Sequence, residues 1–472
     1  RARPGGRGPG RLPGALAIAL AACGPAACSR PPDVTPSGPA PGASSAPPAP
    51  PPPAPPDDDW PRGRPFFSGA LRPPAGAPPF CSPRRPLCVH ARSPAEGPSA
   101  LDALAEAERA YDALRAGPGL PPPAPDGDEG GSPAFDVYLS QLGDSTYRLG
   151  CDTPSAAPYD RCAAFGLLDA RLGAGCFRKT ALHRLVALAM LSAVDAGETG
   201  GFFAASASYL ALSTTGCLGP VLPAVDRAQA RPERALLSPG GPDEPDASPL
   251  LPWYFDAAYG AGAPGAFVHA LWQLGPQATP PLATRYHNDH DAFTSLAALA
   301  RHKSADLGEL LLDLAVDRAF FGERDDGRHA PPGFAALGPW GRVRFDAAFP
   351  FRSLPRRLGF TPLEPTGMVY VWVDLEGAPP GASLALRAAW EKPVSMRWAA
   401  LRVGPEGAER SRVPIAYEQG AFAAERRVLG LDGLAGVLVV GVNVGDEGPG
   451  SPFRPDEWPY EPHAGTLALF AE

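Results

Sequence analysis

Residues 183–187 read His-Arg-Leu-Val-Ala, inside an apolar run from 177 to 195. Residues 202–209 read Phe-Phe-Ala-Ala-Ser-Ala-Ser-Tyr, inside a second run from 200 to 214. The first run is apolar on most sides, which is the pattern of a central buried helix. Two such helices in succession need a sheet or further helices to cover them. The flanks supply both.

Upstream, Leu87-Cys88-Val89-His90-Ala91 reads as a short strand. A helix follows, with Ser99 as N-cap, Asp102 three residues on and Gly117 past its end. Leu101, Leu104, Ala107, Tyr111 and Leu114 fall on one face at helical spacing. Residues 118–133 form a Pro/Gly/Asp-rich loop, and 134–141 alternate as a half-buried strand. Residues 164–172 give another strand. Downstream, residues 220–250 are broken by proline and expected to be irregular. Helices are expected over 265–274, 292–301 and 305–321. From about Trp340 the pattern changes to short strands, clearest at 368–375, 383–390, 396–403, 436–444 and 465–470. Gly/Pro turns separate them at the spacing of a β-sandwich.

Residues four apart share one face of a helix. An H-E-x-x-H helix uses that spacing to bring two imidazoles to one Zn²⁺, with the Glu as general base on the bound water. A third protein ligand leaves one position open. Against this template His183 stands at the first ligand, Arg184 at the base and Ala187 at the second histidine. Ala204 stands where a carboxylate on the next helix would complete the set.

The order of several segments resembles a family of secreted, zincin-like metalloproteases of myxobacteria and their relatives. The segments are Phe80-Cys81 with Cys88-Val89-His90, Gly130-Gly131-Ser132 with Phe135-Asp136-Val137-Tyr138-Leu139, and the two helices. The ending Asp456-Glu457, Tyr460-Glu461-Pro462-His463 and Thr466-Leu467 is similar too. The resemblance covers most of residues 80–472. It implies a zincin-like α+β core, a β-sandwich, export and zinc peptidase activity. The substitutions argue against the activity, because one imidazole cannot hold catalytic zinc and Arg184 puts a cation where the base belongs. Zinc is expected to be lost, with no cofactor in its place. His183 is expected to be a helix histidine satisfied by a backbone or carboxylate partner.

The N-terminal stretch is Arg-rich to Arg11, apolar from Leu12 to Ala22 and then small, the outline of a secretory signal. Leu20-Ala21-Ala22-Cys23 resembles a lipobox, which makes Cys23 the expected acylation site. Residues 24–60, rich in Pro and Ala, read as a tether. Setting aside Cys23 and Cys28 leaves Cys81, Cys88, Cys151, Cys162, Cys176 and Cys217. Neighbours suggest Cys81–Cys88, Cys151–Cys162 and Cys176–Cys217, although other connectivities stay open.

His287-Asn288-Asp289-His290-Asp291 is the densest run of metal-capable side chains. Its favoured role is a polar helix entry, with a metal site at His287 and His290 as the weaker reading. Asp126, Asp128 and Glu129 read as a solvated acidic loop, because the closing Glu of a Ca²⁺ loop is missing. Gly260, Gly262 and Gly265 match a dinucleotide fingerprint by letter only; no strand precedes them, and Pro264 and Gly265 start a helix. A net charge of −8 gives no basic footprint for nucleic acid.

The expected organisation is a lipoprotein-type signal (1–23), a tether (24–60), an α+β zincin-like domain (61–335) and an all-β sandwich domain (336–472). The expected function is non-catalytic binding of a protein or peptide by an exported envelope lipoprotein, membrane-held through its lipid and without a nucleic-acid partner. The alternatives are a metal-dependent hydrolase with a divergent site at His287 and His290, and a structural envelope-attachment protein.

Overall fold

The computed structural model describes residues 71–74, 76–155, 161–237, 247–260, 262–275, 292–302, 306–415, 422–446 and 460–472. Cys23, the signal and tether of residues 1–60, and His287 and His290 lie outside the described residues. Pro61–Glu472 forms one compact unit. It is a mixed α/β region with helices, followed by β-rich sheets.

The first region begins with β1 (Phe80–Cys81), β2 (Leu87–His90), α1 (Gly97–Ala116), β3 (Phe135–Ser140), β4 (Tyr147–Ser155) and β5 (Arg161–Asp169). The sheet order is β1-β2-β3-β5-β4. β2, β3 and β5 run parallel, while β1 and β4 are antiparallel edges. The parallel step from β2 to β3 needs a crossover, which α1 supplies. Leu87, Val89, Phe135, Val137 and Leu139 join the main core with Ala103, Ala107 and Ala110 of α1. The alternate residues Asp136 and Tyr138 point to the other face. That face is covered as well, so β3 is buried on both sides rather than half-buried.

Two details of α1 differ from expectation. It starts at Gly97, with Glu96 at the cap position and Ser99 inside the first turn. Pro98 causes the shift, because proline fits a first helical turn whose N–H groups have no intrahelical partner. Leu101 is 51% exposed, and the buried stripe is Ala100, Ala103, Leu104, Ala107, Ala110 and Leu114. Alanines let α1 approach α2 closely, so they take the inner face.

α2 (Cys176–Ser192) and α3 (Gly200–Thr215) follow, then α4 (Leu222–Ala230), α5 (Leu250–Tyr259), α6 (Ala266–Leu274), α7 (Ala292–His302) and α8 (Leu307–Arg318). The stretch expected to be irregular contains α4 and the start of α5. Pro223 and Pro252 lie in first turns, where proline starts a helix instead of breaking it. Gly265 caps α6 at φ 86, and a β-carbon there would fall 2.8 Å from Leu210. The Asp256 carboxylate accepts the N–H groups of Gly265 (2.7 Å) and Phe267 (2.8 Å), so the protein's own anion fills this helix start.

The β-rich region comprises β6 (Ala347–Pro350), β7 (Arg356–Leu363), β8 (Met368–Asp374), β9 (Leu384–Trp390), β10 (Val394–Val403), β11 (Glu409–Ile415), β12 (Ala423–Val428), β13 (Gly436–Asp446) and β14 (His463–Ala471). They form sheets of order β11-β10-β13-β8-β6 and β12-β9-β14-β7. Val371, Val373, Trp398 and Val439 share one core with Leu384, Leu386, Leu467 and Leu469 of the second sheet. Their neighbours Met368, Tyr370, Leu401, Leu438 and Val440 belong to the core of the first region. The five-stranded sheet is therefore buried on both faces, and the helical and β-rich regions share a core.

Two polar ties secure that contact. Arg318 of α8 is fully buried; its Nε donates to Gln229 Oε1 at 2.5 Å and its Nη2 to the Ala228 carbonyl. His329 bridges Asp326 (2.9 Å) and Glu409 on β11 (2.5 Å) and stacks on Phe320.

Candidate functional site

The loop after Ser192 returns the chain so that α2 and α3 pack side by side, and the Cys176–Cys217 disulfide ties the beginning of one to the end of the other. Cys81–Cys88 joins β1 to β2, and Cys151–Cys162 joins β4 to β5. Three disulfides fit an exported protein. Among the described residues, no helix is long and apolar enough to cross a membrane.

His183 is 3% exposed. Its Nε2 meets Glu106 Oε1 of α1 at 3.0 Å, and its Nδ1 meets Thr214 Oγ1 of α3 at 2.7 Å. Burial holds its pKa below the ordinary value, against the opposing pull of Glu106. Both ring nitrogens are thus engaged by side chains of the neighbouring helices, and the Thr214 hydroxyl itself donates to the Leu210 carbonyl at 2.7 Å, so neither nitrogen is open to a metal. Burial pushes Glu106 up, but hydrogen bonds from Arg109 and His183 outweigh it and hold the carboxylate below its usual range.

The other template positions are elsewhere. Thr214 lies ten residues beyond Ala204, a separation of roughly 15 Å along α3. The His183 ring is thus directed to the far end of that helix. Ala187 and Ala204 are fully buried in the main core. Arg184 is buried with its guanidinium 5.9 Å from the Tyr147 ring centre on β4. These residues do not fit zinc: the one imidazole is committed at both nitrogens, and alanine methyls pack where ligands would stand. Among the described residues, no group of three or more His, Cys, Asp or Glu side chains is arranged to hold a metal.

A denser polar site lies on the opposite face of the first sheet. His90 Nε2 meets Asp136 Oδ1 at 2.8 Å across the β2–β3 pair, and the His90 ring stacks on Tyr138 at 4.2 Å. Arg72 reaches over this face. Its Nη1 donates to Asp136 and to Tyr138 Oη (2.9 Å), and its Nη2 donates to Asp126 at 2.5 Å. The Asp126 and Asp136 side chains are 1% and 0% exposed. Asp126 is therefore part of a buried ion-pair network, not a solvated loop, because Arg72 brings it a counter-charge. Gly130, at φ 76, closes the wall: a β-carbon there would lie 2.0 Å from Asp136 Oδ2. A cavity of about 670 Å³ opens beside the network, lined by residues 72–74 and 76–79 on one side and by Glu129, Gly130, Gly131 and Tyr138 on the other. The sequence carried one signal for this site, an Asp between Phe135 and Val137 in an otherwise apolar strand, with its partners distant in the chain.

No family model matches the chain, and no curated protein matches it. Among solved structures, the pre-peptidase C-terminal domain of a collagenase from Bacillus anthracis aligns at 10% identity and a TM-score of 0.18, over 28% of this chain and 99% of that one. The VP2 subviral particle of infectious bursal disease virus aligns at 10% identity and a TM-score of 0.17, over 25% of this chain and 30% of that one. At those scores neither bears on fold or function.

Proposed function

We propose that this chain is a zincin-like protein without catalytic zinc, exported and lipid-anchored, which binds a protein or peptide at the cell envelope and carries a C-terminal β-sandwich. The observation that carries the reading is His183 engaged at both ring nitrogens while Ala187 and Ala204 are buried in the core. The element order agrees with the α+β core that the resemblance implies: parallel β2, β3 and β5 between the antiparallel edges β1 and β4, a crossover helix, then two packed helices. With the metal-binding chemistry gone, surface and cleft remain as the means of action, so binding is favoured over hydrolysis. The three disulfides agree with export.

The test is metal analysis and a peptide-hydrolysis assay on the purified chain after chelation and zinc reloading. The expected result is no stoichiometric zinc and no hydrolysis. Stoichiometric zinc that disappears in His183→Ala, together with hydrolysis, would overturn the reading. Zinc that disappears only in His287→Ala/His290→Ala would place a hydrolase site there instead. Crosslinking on intact cells then identifies the bound partner.

A further inference from the structure

The network around Arg72 has the form of a receptor already holding its ligand. Two side chains on rigid strands, Asp136 and Tyr138, together with Asp126 from the loop before β3, surround one guanidinium. Separate nitrogens of that guanidinium serve the two carboxylates. Its carbon lies 5.1 Å from the Phe165 ring centre and 5.7 Å from that of Tyr138. A planar fork between aromatic rings and two carboxylates selects arginine over lysine, whose ammonium is a compact point charge. His90 orients Asp136 from behind, and its buried Nδ1 has no hydrogen-bond partner among the described residues.

The occupant differs in kind from the pocket. Arg72 belongs to a stretch, described at 71–74 and 76–79, that shows no helix or strand and contains Pro73, Pro74, Pro78 and Pro79. Leu71 beside it is 87% exposed. Prolines lack the N–H that would bind such a stretch to a sheet. The stretch leaves the cavity of about 670 Å³ beneath it unfilled, so it covers the face without packing it. The anchor is the arginine, and the space beside the anchor suits a few residues of another chain.

We propose that this pocket is a guanidinium-recognition site, and that Arg72 occupies it in place of an arginine side chain of a partner peptide. The inference names the ligand class of the binding function above and rests on that reading. A resident competitor lowers apparent affinity by the fraction of time the pocket is closed.

The experiment titrates the full chain with a labelled, proline-flanked peptide carrying one arginine, and with its lysine counterpart. Arg72→Ala is expected to bind the arginine peptide about tenfold or more tightly than the wild type, since its pocket is open. The lysine peptide should bind far more weakly, and Arg72→Ala/Asp136→Asn should lose the gain. Equal binding of the two peptides, or no gain in a folded Arg72→Ala, overturns the proposal. Hydrogen exchange on the wild type guards against a variant that fails to fold. Excess arginine peptide should speed exchange over residues 76–82, and unchanged exchange there also overturns it. A peptide without arginine that binds the wild type regardless of Asp136→Asn discards this pocket but keeps the general binding function.

Discussion

His183→Ala separates a structural histidine from a metal ligand. The substitution removes a 3.0 Å bond to Glu106 and a 2.7 Å bond to Thr214 from a residue that is 3% exposed. A hydrogen bond to a charged group contributes about 1.5–3 kcal/mol, and a neutral one about 1 kcal/mol. Glu106 keeps Arg109 and is not left wholly unpaired. The expected loss is therefore about 3 kcal/mol, the sum of one hydrogen bond to a charged group and one neutral one. Equilibrium denaturation at pH 7, with chelator and with zinc, measures it. The slope against denaturant should stay constant while the midpoint falls. Zinc should change neither protein, since a ligand that binds only the folded state would stabilise it by mass action. The pH dependence has a defined sign. Burial lowers the His183 pKa, so its contribution is complete above the ordinary histidine value of about 6.5 and is lost as pH falls through the folded pKa. His183→Ala should lack that acid-side loss. A cost under about 0.5 kcal/mol, as at an unimportant surface position, or zinc stabilisation of the wild type alone, would refute the reasoning.

His329 should show the opposite limb. Burial lowers its pKa, but the bonds to Glu409 and Asp326 outweigh burial and raise it. Its contribution is complete below about pH 6.5 and fades as pH rises through the folded pKa. His329→Gln should cost about 2–3 kcal/mol at pH 6 and remove the alkaline decline in a series of melts. Cys176 and Cys217 are 41 residues apart and Cys81 and Cys88 only 7. On loop-closure entropy, Cys176→Ala/Cys217→Ala should lose about 4 kcal/mol and Cys81→Ala/Cys88→Ala about 2 kcal/mol, which paired unfolding curves would resolve. Arg184→Glu/Ala187→His/Ala204→Glu restores the letters of a zinc site but not the site. Each enlarged residue in the packed core should cost about 1–3 kcal/mol, and metal analysis should find no stoichiometric zinc.

The strands that the sequence revealed in the second region are β8, β9, β10, β13 and β14, and all are central in their sheets. Those it concealed, β6, β7, β11 and β12, are the four edges. Edge strands avoid pairing with other chains by carrying charge, as in Glu-Arg-Ser-Arg of β11 and Glu-Arg-Arg of β12, and charge erases the alternation that marks a strand. α2 and α3 were legible because they are buried on nearly every side. α4 and the start of α5 were hidden by prolines that serve as helix starts.

Local pattern alone determined the change from a mixed α/β part to an all-β part, the two central helices, the inner strands and the loss of the zinc-binding letters, because periodicity and spacing are properties of neighbouring residues. The tertiary structure decided where the His183 ring points, that one sheet is shared between both regions, and that Arg72, His90, Asp126, Asp136 and Tyr138 meet at one place. Those outcomes depend on which distant segment covers which face. A charged residue in an apolar strand shows only that a partner must exist; the packed fold selects the partner.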